Sequence, residues 1–393
     1  MPPTRKRLVP ALVAVRLPDP HAMIAAIDRV RADGDAVLPL DPSAPDDVVA
    51  DLVRRLRPEA LVHTRPDGRT RISRLPDGVA VPAGTALVVA TSGSTGTPRG
   101  IVLSAAALDH GVTASLDRLG ATPGQRWTLS LPLHHVAGLL VVMRARRLGH
   151  EPEVTPAAEL PTAEGDWWAL VPTMLRRLLD DDVPLTGRPI LLGGAAAPAD
   201  LLDDARHAGA HVVTTYGMTE TCGGCVYDGV PLDGVEVRTG ADGRIGLRGP
   251  VVATGERGPD GAVMPVTDPD GWLWTSDLGE VDDGHLTVLG RADDVIVTGG
   301  ENVAAEAVED VLRRLPGVDD AAVVGVDDRE WGQRVVAVVV VDGTAPELAD
   351  VRAHVSAELG AHAAPRELVL VPSIPRTALG KVARDQVRAL LAG

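Results

Sequence analysis

The chain has 393 residues, 45% of them hydrophobic and 23% charged, with a formal net charge of −16. That length accommodates two or three domains and a large buried core, and the composition is ordinary for a soluble globular protein. The negative balance excludes a nucleic-acid surface, which needs a basic stripe. The start, MPPTRKRL, runs into a short apolar stretch broken by Pro10 and Pro18. That stretch is too short and too interrupted to span a membrane. It also leads directly into HAMIAAIDRVRADG, an amphipathic helix pattern, unlike the sequel to a secretory signal. The expected location is cytoplasmic.

From about residue 36, strand-like runs alternate with helical patterns: AVLPL, EALVHT, TALVVA and IVLS, then the helical AAALDHGVTASLDRLG. WTLSLPL, the apolar helix VAGLLVVMRARRLG, WWALVP with TMLRRLLDDD, and PILLGG with ADLLDDARHAGA follow. Such alternation predicts an α/β fold of layered sheets and helices with much parallel sheet. After HVVTTYGMTE the texture changes. Residues 223–291 are rich in Gly and Asp with short alternating runs (VEVRTG, RIGLRG, WLWTSD, HLTVLG), which read as a small antiparallel, barrel-like β part. A fresh pattern starts at Asp294 (DVIVTGG, AAEAVEDVLRRL, AAVVGVD, RVVAVVVVD, ELADVRAHVSAELG, ELVLVPS) and predicts a small α+β domain. The polar turn GRADD gives the expected boundary: a large domain over 1–292 and a small one over 293–393.

TSGSTGTPRG (91–100) lies between the strands TALVVA and IVLS. Its glycines and hydroxyl residues leave backbone N–H groups open and add donors, as an anion requires. The Walker pattern is not met, because no Lys-Ser/Thr pair follows and a strand, not a helix, comes next. The loop is therefore a phosphate-handling loop of another kind.

Here the chain resembles the superfamily of acyl-CoA synthetases, adenylation domains and luciferases, whose signature is TSGSTGxPKG. Arg99 stands where that family usually has Lys; only Lys6 and Lys381 are lysines among the chain's 38 basic residues. The resemblance continues in family order. It implies ATP contacts from Thr91, Ser92, Gly93, Ser94, Thr95 and Gly96, and an adenine wall from Gly193, Gly194 and Ala195 in PILLGGAAAP. YGMTE supplies Tyr216 and Gly217 for adenine, Thr219 for the α-phosphate and Glu220 for Mg²⁺. Asp277 in TSD matches the ribose carboxylate and Arg291 a ribose or phosphate contact. His135 in LPLHHVAG, with Met218 and Thr221, would border the acyl pocket. In GRADDVIVTGGENV, Asp293 matches the hinge and Gly299 and Gly300 the pantetheine tunnel. Lys381 in PRTALGKVARD matches the catalytic lysine, a compact ammonium suited to bridging a carboxylate and the α-phosphate.

These matches imply an AMP-forming acid–thiol ligase using ATP, Mg²⁺ and coenzyme A. The stretch YGMTETCGGCVYDGVPLDGVEVR and the short portion before Thr91 most resemble short o-succinylbenzoate–CoA ligases of menaquinone biosynthesis. An adenylating enzyme for another aryl acid, delivering to a carrier-protein thiol or a nitrogen nucleophile, is the alternative. The expected partners are small molecules (a carboxylic acid, ATP, CoA), with a homodimer left open. Cys222 and Cys225 in CGGC lack the two further ligands of a structural zinc site and read as small residues beside a pocket.

Overall fold

A computed structural model describes residues 9–65, 67–92, 98–376 and 382–391. The chain forms two compact units, 1–237 with 247–273, and 238–246 with 274–393. As the alternating pattern implies, the fold is mixed α/β.

The first unit holds two sheets. One has eight strands in the order Val263–Met264, Gly255–Arg257, Pro98–Ser104, Thr85–Ser92, Ala36–Pro39, Leu12–Arg16, Ala60–Thr64 and Thr70–Arg74. Leu12–Arg16 pairs in parallel with Ala36–Pro39 and with Ala60–Thr64, while Thr85–Ser92 and Pro98–Ser104 form an antiparallel hairpin. The apolar stretch between Pro10 and Pro18 is thus a core strand of this sheet. The two prolines bracket it instead of breaking it, which keeps their missing N–H groups out of the ladder.

The second sheet has seven strands: Val230–Pro231, Gly223–Tyr227, His211–Met218, Pro189–Leu192, Trp167–Leu170, Trp127–Leu129 and Glu153–Val154. His211–Met218, Pro189–Leu192 and Trp167–Leu170 are consecutive parallel neighbours. Helix Ala105–Leu119 follows the first sheet's hairpin. Ser104 caps it by accepting from Ala107 N, and Gly120, at φ 61°, ends it. Those two residues are an N-cap hydroxyl and a left-handed glycine, the pair that satisfies orphan helix-end groups.

In the second unit, strands Glu301–Ala304, Val295–Thr298, Gly332–Val341 and Val318–Asp328 lie side by side, and Glu367–Leu370 pairs in parallel with Gly332–Val341. Strand alternation divides the apolar residues between two faces. Ala321, Val323, Val335, Ala337 and Val339 pack with helices Ala305–Arg313 and Leu348–Leu359 through Val308, Leu312, Val351 and Val355. Ala322, Val324, Val336 and Val338 pack with Ile374 and with Val387 of helix Arg384–Leu391. A further four-stranded sheet contains Leu273–Asp282 paired antiparallel with His285–Arg291. Among the described residues no helix is long and apolar enough to cross a membrane.

Candidate active site

In open parallel sheets, ligands bind at the carboxyl ends of the strands. In the first unit, Gly193 directly follows Pro189–Leu192, and Thr219 and Glu220 directly follow the adjacent parallel strand His211–Met218. The GGA and YGMTE motifs are thereby brought to one sheet end. Gly193 donates its N–H to Leu170 O at 3.0 Å. A Cβ there would lie 2.3 Å from Thr215 Oγ1, so a side chain at this position would push the Thr215 hydroxyl aside. Gly194 turns the chain at φ 85° and Ala195 follows it.

Tyr216 and Gly217 form an irregular step in the pairing of His211–Met218 with Gly223–Tyr227. The chain then makes a single 3₁₀ turn over Thr219–Thr221. Thr221 is buried, and its hydroxyl accepts from Met218 N at 2.9 Å and donates to Gly223 O at 2.8 Å. Its role is therefore to fix the turn that presents Met218, Thr219 and Glu220. Cys222 and Cys225 are free thiols, both buried, and burial pushes each up to about 12. They remain uncharged packing groups.

Glu220 is held from two sides. Its carbonyl accepts from Ala253 N at 2.7 Å, and its Oε1 lies 3.2 Å from Arg99 Nη2. Arg99 also reaches Glu256 Oε2 at 3.4 Å from its Nη1. Arg99 lies on Pro98–Ser104, opposite Thr91 of the antiparallel strand Thr85–Ser92. The signature hairpin and the YGMTE turn thus meet through an Arg99–Glu220 pair, with Glu256 as a second carboxylate. Thr91 and Ser92 belong to the strand, and the Thr91 hydroxyl is buried without a partner among the described residues. Gly93, Ser94, Thr95 and Gly96 lie outside the described residues.

Among the described residues no three His, Cys, Asp or Glu side chains form a metal-holding group. Mg²⁺ does not need one: it binds through one or two carboxylates together with substrate phosphates. Glu220, a mostly buried hard carboxylate beside the phosphate hairpin, fits that donor set.

His135 caps the start of helix Val136–Arg147. Burial, then the neighbouring His134, lowers its pKa to about 4, and its Nε2 is buried without a partner among the described residues. The ring is neutral at pH 7 and retains an open hydrogen-bonding position. The His134 ring lies tilted against it, with centroids 4.3 Å apart, and faces Asp41 at 3.9 Å.

At the other end of the same helix are Arg144, Arg146 and Arg147. Arg146 pairs with Asp28 and Glu151, and Arg147 with Asp109. Arg144 is different. It is 4% exposed, lies over Trp127, and bonds to two hydroxyls, Ser115 Oγ at 2.9 Å and Tyr227 Oη at 3.2 Å. No carboxylate pairs with it among the described residues. Gly111, one helical turn before Ser115, faces Cys222. The arginine layer is therefore one turn from the Thr221–Cys222 corner.

In the second unit, Asp277 lies within Leu273–Asp282, not in a loop, with its side chain 13% exposed and 3.2 Å from Arg291 Nη1. Arg291 is the strand residue opposite. Gly299 and Gly300, at φ 59° and 82°, make the two-residue turn between Val295–Thr298 and Glu301–Ala304. Two positive φ values in a hairpin loop select glycine. A Cβ on Gly299 would lie 2.9 Å from the Trp331 ring. Asp293 lies in the 3₁₀ turn Ala292–Asp294, and Lys381 lies outside the described residues.

Sequence reasoning passed over Glu256 and Arg144 as site residues. Glu256 reaches the site only by strand pairing from more than 150 residues away. Arg144 is one of three arginines at a helix end, where cations are expected for the helix dipole alone.

The chain belongs to the AMP-binding enzyme family. Residues 22–263 match the AMP-binding enzyme family, and residues 307–381 match its C-terminal domain. It is 44% identical over 355 residues to a probable 2-succinylbenzoate–CoA ligase of Mycobacterium tuberculosis, covering 85% of this chain and 92% of that one. Its fold is similar to o-succinylbenzoate CoA synthetase (MenE) from Bacillus subtilis in complex with the acyl-adenylate intermediate OSB-AMP. There the TM-score is 0.81 and the identity 25%, over 96% of this chain and 88% of that one. ATP-bound MatB from Rhodopseudomonas palustris is also similar, with TM-score 0.86 and 26% identity over 98% and 89% of the two chains.

Proposed function

We propose that the protein is an ATP-dependent 2-succinylbenzoate–CoA ligase. In the first step a carboxylate oxygen of the acid attacks the α-phosphorus of ATP. The bond from that phosphorus to the bridging oxygen breaks, and acyl-adenylate and pyrophosphate result. In the second, the CoA sulfur attacks the acyl carbon and gives up its proton. The acyl–oxygen bond breaks, and AMP leaves.

Positioning and charge neutralisation carry most of the rate in such displacements. Gly193, Gly194, Ala195, Tyr216 and Gly217 would hold adenine, and Asp277 with Arg291 the ribose. The hairpin around 91–96 and Arg99 would hold the phosphates. Thr219 would donate to the α-phosphate, and Lys381 would neutralise the charge that grows there. Mg²⁺, held by Glu220 and phosphate oxygens, would supply Lewis-acid polarisation. The small domain would turn about Asp293 between the steps and bring Gly299–Gly300 to the CoA side. His135, Met218 and the turn fixed by Thr221 would border the acyl group.

One observation carries the choice of acid: the buried Arg144 guanidinium, whose hydrogen-bond partners among the described residues are neutral hydroxyls. A buried cation without an anion is costly, and the second carboxylate of a dicarboxylic aryl acid would complete it. The 44% identical relative agrees with that choice.

The test is pyrophosphate release across a panel of aryl acids, with and without CoA. The dicarboxylate should be preferred over its monomethyl ester at the carboxylate remote from the reacting one by at least about tenfold in kcat/KM. Arg144→Met should erase that preference while leaving turnover of the ester nearly unchanged. Equal turnover of acid and ester by the natural enzyme would exclude this reading, and faster turnover with a carrier-protein thiol than with CoA would replace the acceptor.

A further inference from the structure

The short strand Gly255–Arg257 pairs antiparallel with Pro98–Ser104, placing Glu256 opposite Ile101 and Arg257 opposite Gly100. Side chains alternate along a strand, so these two neighbours face opposite ways. Arg257 is 2% exposed, and its guanidinium donates to the carbonyls of Leu56, Val79, Ala80 and Gly261. Glu256 is partly exposed and meets Arg99. Three residues earlier, Ala253 N donates to Glu220 O at 2.7 Å. One segment thus touches Glu220 through its backbone and Arg99 through a side chain, and Arg257 anchors it to the first unit.

Arg99 is shared between two carboxylates. A guanidinium committed to one carboxylate makes two short parallel bonds. Arg146 does so with Asp28, at 2.6 and 2.8 Å. Arg99 instead reaches Glu220 through Nη2 at 3.2 Å and Glu256 through Nη1 at 3.4 Å. The sharing matters because Glu220 has two calls on its charge. A carboxylate engaged by a guanidinium gives less to a dication, and the two cations repel each other beside it.

We propose that Glu256 is a positioning residue for the metal site: it retains Arg99 through Nη1 while Nη2 exchanges Glu220 for a phosphate oxygen, and so leaves the Glu220 carboxylate to Mg²⁺. Without Glu256, Arg99 pairs with Glu220 alone and competes with the metal for it. The inference rests on the proposed ligation of Mg²⁺ by Glu220. It goes further in making metal affinity depend on a second carboxylate that acts only through Arg99.

The test titrates Mn²⁺, followed by its electron paramagnetic resonance signal, into the full chain saturated with α,β-methylene-ATP. The natural protein is compared with Glu256→Gln, Glu220→Gln, Arg99→Met and the double variant Arg99→Met/Glu256→Gln. Thermal midpoints and the Mg²⁺ dependence of pyrophosphate release are measured alongside. Glu256→Gln should weaken Mn²⁺ binding by roughly tenfold, the size of a coupling within one ion-pair network. It should raise the Mg²⁺ concentration for half-maximal adenylation by a similar factor, and excess Mg²⁺ should recover much of the lost rate. The thermal midpoint should hardly move, because a partly exposed ion pair adds little stability. In the Arg99→Met background the same substitution should leave Mn²⁺ binding as it was.

If Glu220→Gln binds Mn²⁺ normally, the metal role of Glu220 is wrong. If Glu220→Gln loses Mn²⁺ but Glu256→Gln keeps it, the inference about Glu256 is wrong. Equal weakening by Glu256→Gln with and without Arg99 would mean that Glu256 acts by its bare charge, and would overturn the inference too. So would a lowered midpoint with a rate that excess Mg²⁺ does not recover, which would make Glu256 merely structural.

Discussion

His135 turns its imidazole into the protein at the start of a helix, and the consequence is measurable as stability against pH. Burial depresses its folded pKa to about 4, against an unfolded value near 6.5. Between those values the unfolded chain takes up a proton that the folded chain refuses. Stability from this group is therefore complete above pH 6.5, falls as the pH drops through that window, and is constant again below 4. The loss should be on the order of 3 kcal/mol. His134 is also depressed by burial, with Asp41 opposing, and adds to the same slope. Urea unfolding at pH 7 and pH 5 should show His135→Gln losing clearly less stability than the natural protein. An identical loss in both would place the slope elsewhere. Because the ring stays neutral down to acid pH, it would meet an acyl group, in the proposed role, as an uncharged hydrogen-bonding wall.

The element that sets the position of Glu220 is the strand pair His211–Met218 and Gly223–Tyr227, with the Thr219–Thr221 turn between them. Gly217 makes it possible. A Cβ at this position would lie 2.1 Å from Gly223 O and 2.7 Å from Gly224 Cα, both backbone atoms that no rotamer change can move. Gly217→Ala must therefore open the pair, at a cost of about 3 kcal/mol by analogy with overpacked cores. It should also displace Glu220 from Arg99, so that adenylation falls even below the melting range. Normal adenylation by a Gly217→Ala protein would show that the turn tolerates the opening.

Much at this scale was legible in the sequence, because the signals are local. The hairpin around the signature loop, the helix from Ala105 to Leu119 between a serine cap and a glycine stop, and the glycine turn at 299–300 all follow from period, capping chemistry and positive φ. Other features are not local. Leu12–Arg16 is a buried strand whose flanking prolines read as interruptions. Asp277 is a strand residue whose partner, Arg291, lies on the strand opposite and is set by register, which the run WLWTSD alone does not give. Arg144 looks like its neighbours Arg146 and Arg147, and only the packing of three elements leaves it without an acid.

At the scale of the whole molecule the decisive feature is that apolar burial is partitioned. Leu160, Trp168, Leu175 and Ile190 form one cluster of the first unit, and Leu12, Leu38, Val88 and Val102 another. In the second unit, Val308, Leu312, Val323 and Val339 form a separate cluster. Cooperativity in unfolding follows shared burial, so a chain with separate cores departs from a single two-state transition. Leu312 is fully buried, and Leu312→Ala removes its contacts and leaves a cavity, a change worth about 2–5 kcal/mol. In calorimetry the natural protein should show two overlapping transitions. Leu312→Ala should lower one of them by several degrees for each kcal/mol, roughly 10 °C or more in all, and leave the other in place. Tryptophan fluorescence can assign them, since Trp127, Trp167, Trp168 and Trp272 belong to the first unit and Trp274 and Trp331 to the second. The displaced transition should carry the Trp274 and Trp331 signal. If both transitions move together, the two cores are thermodynamically one. Lys381 would then be carried by a part of the protein that cannot loosen without the nucleotide-holding strands loosening as well.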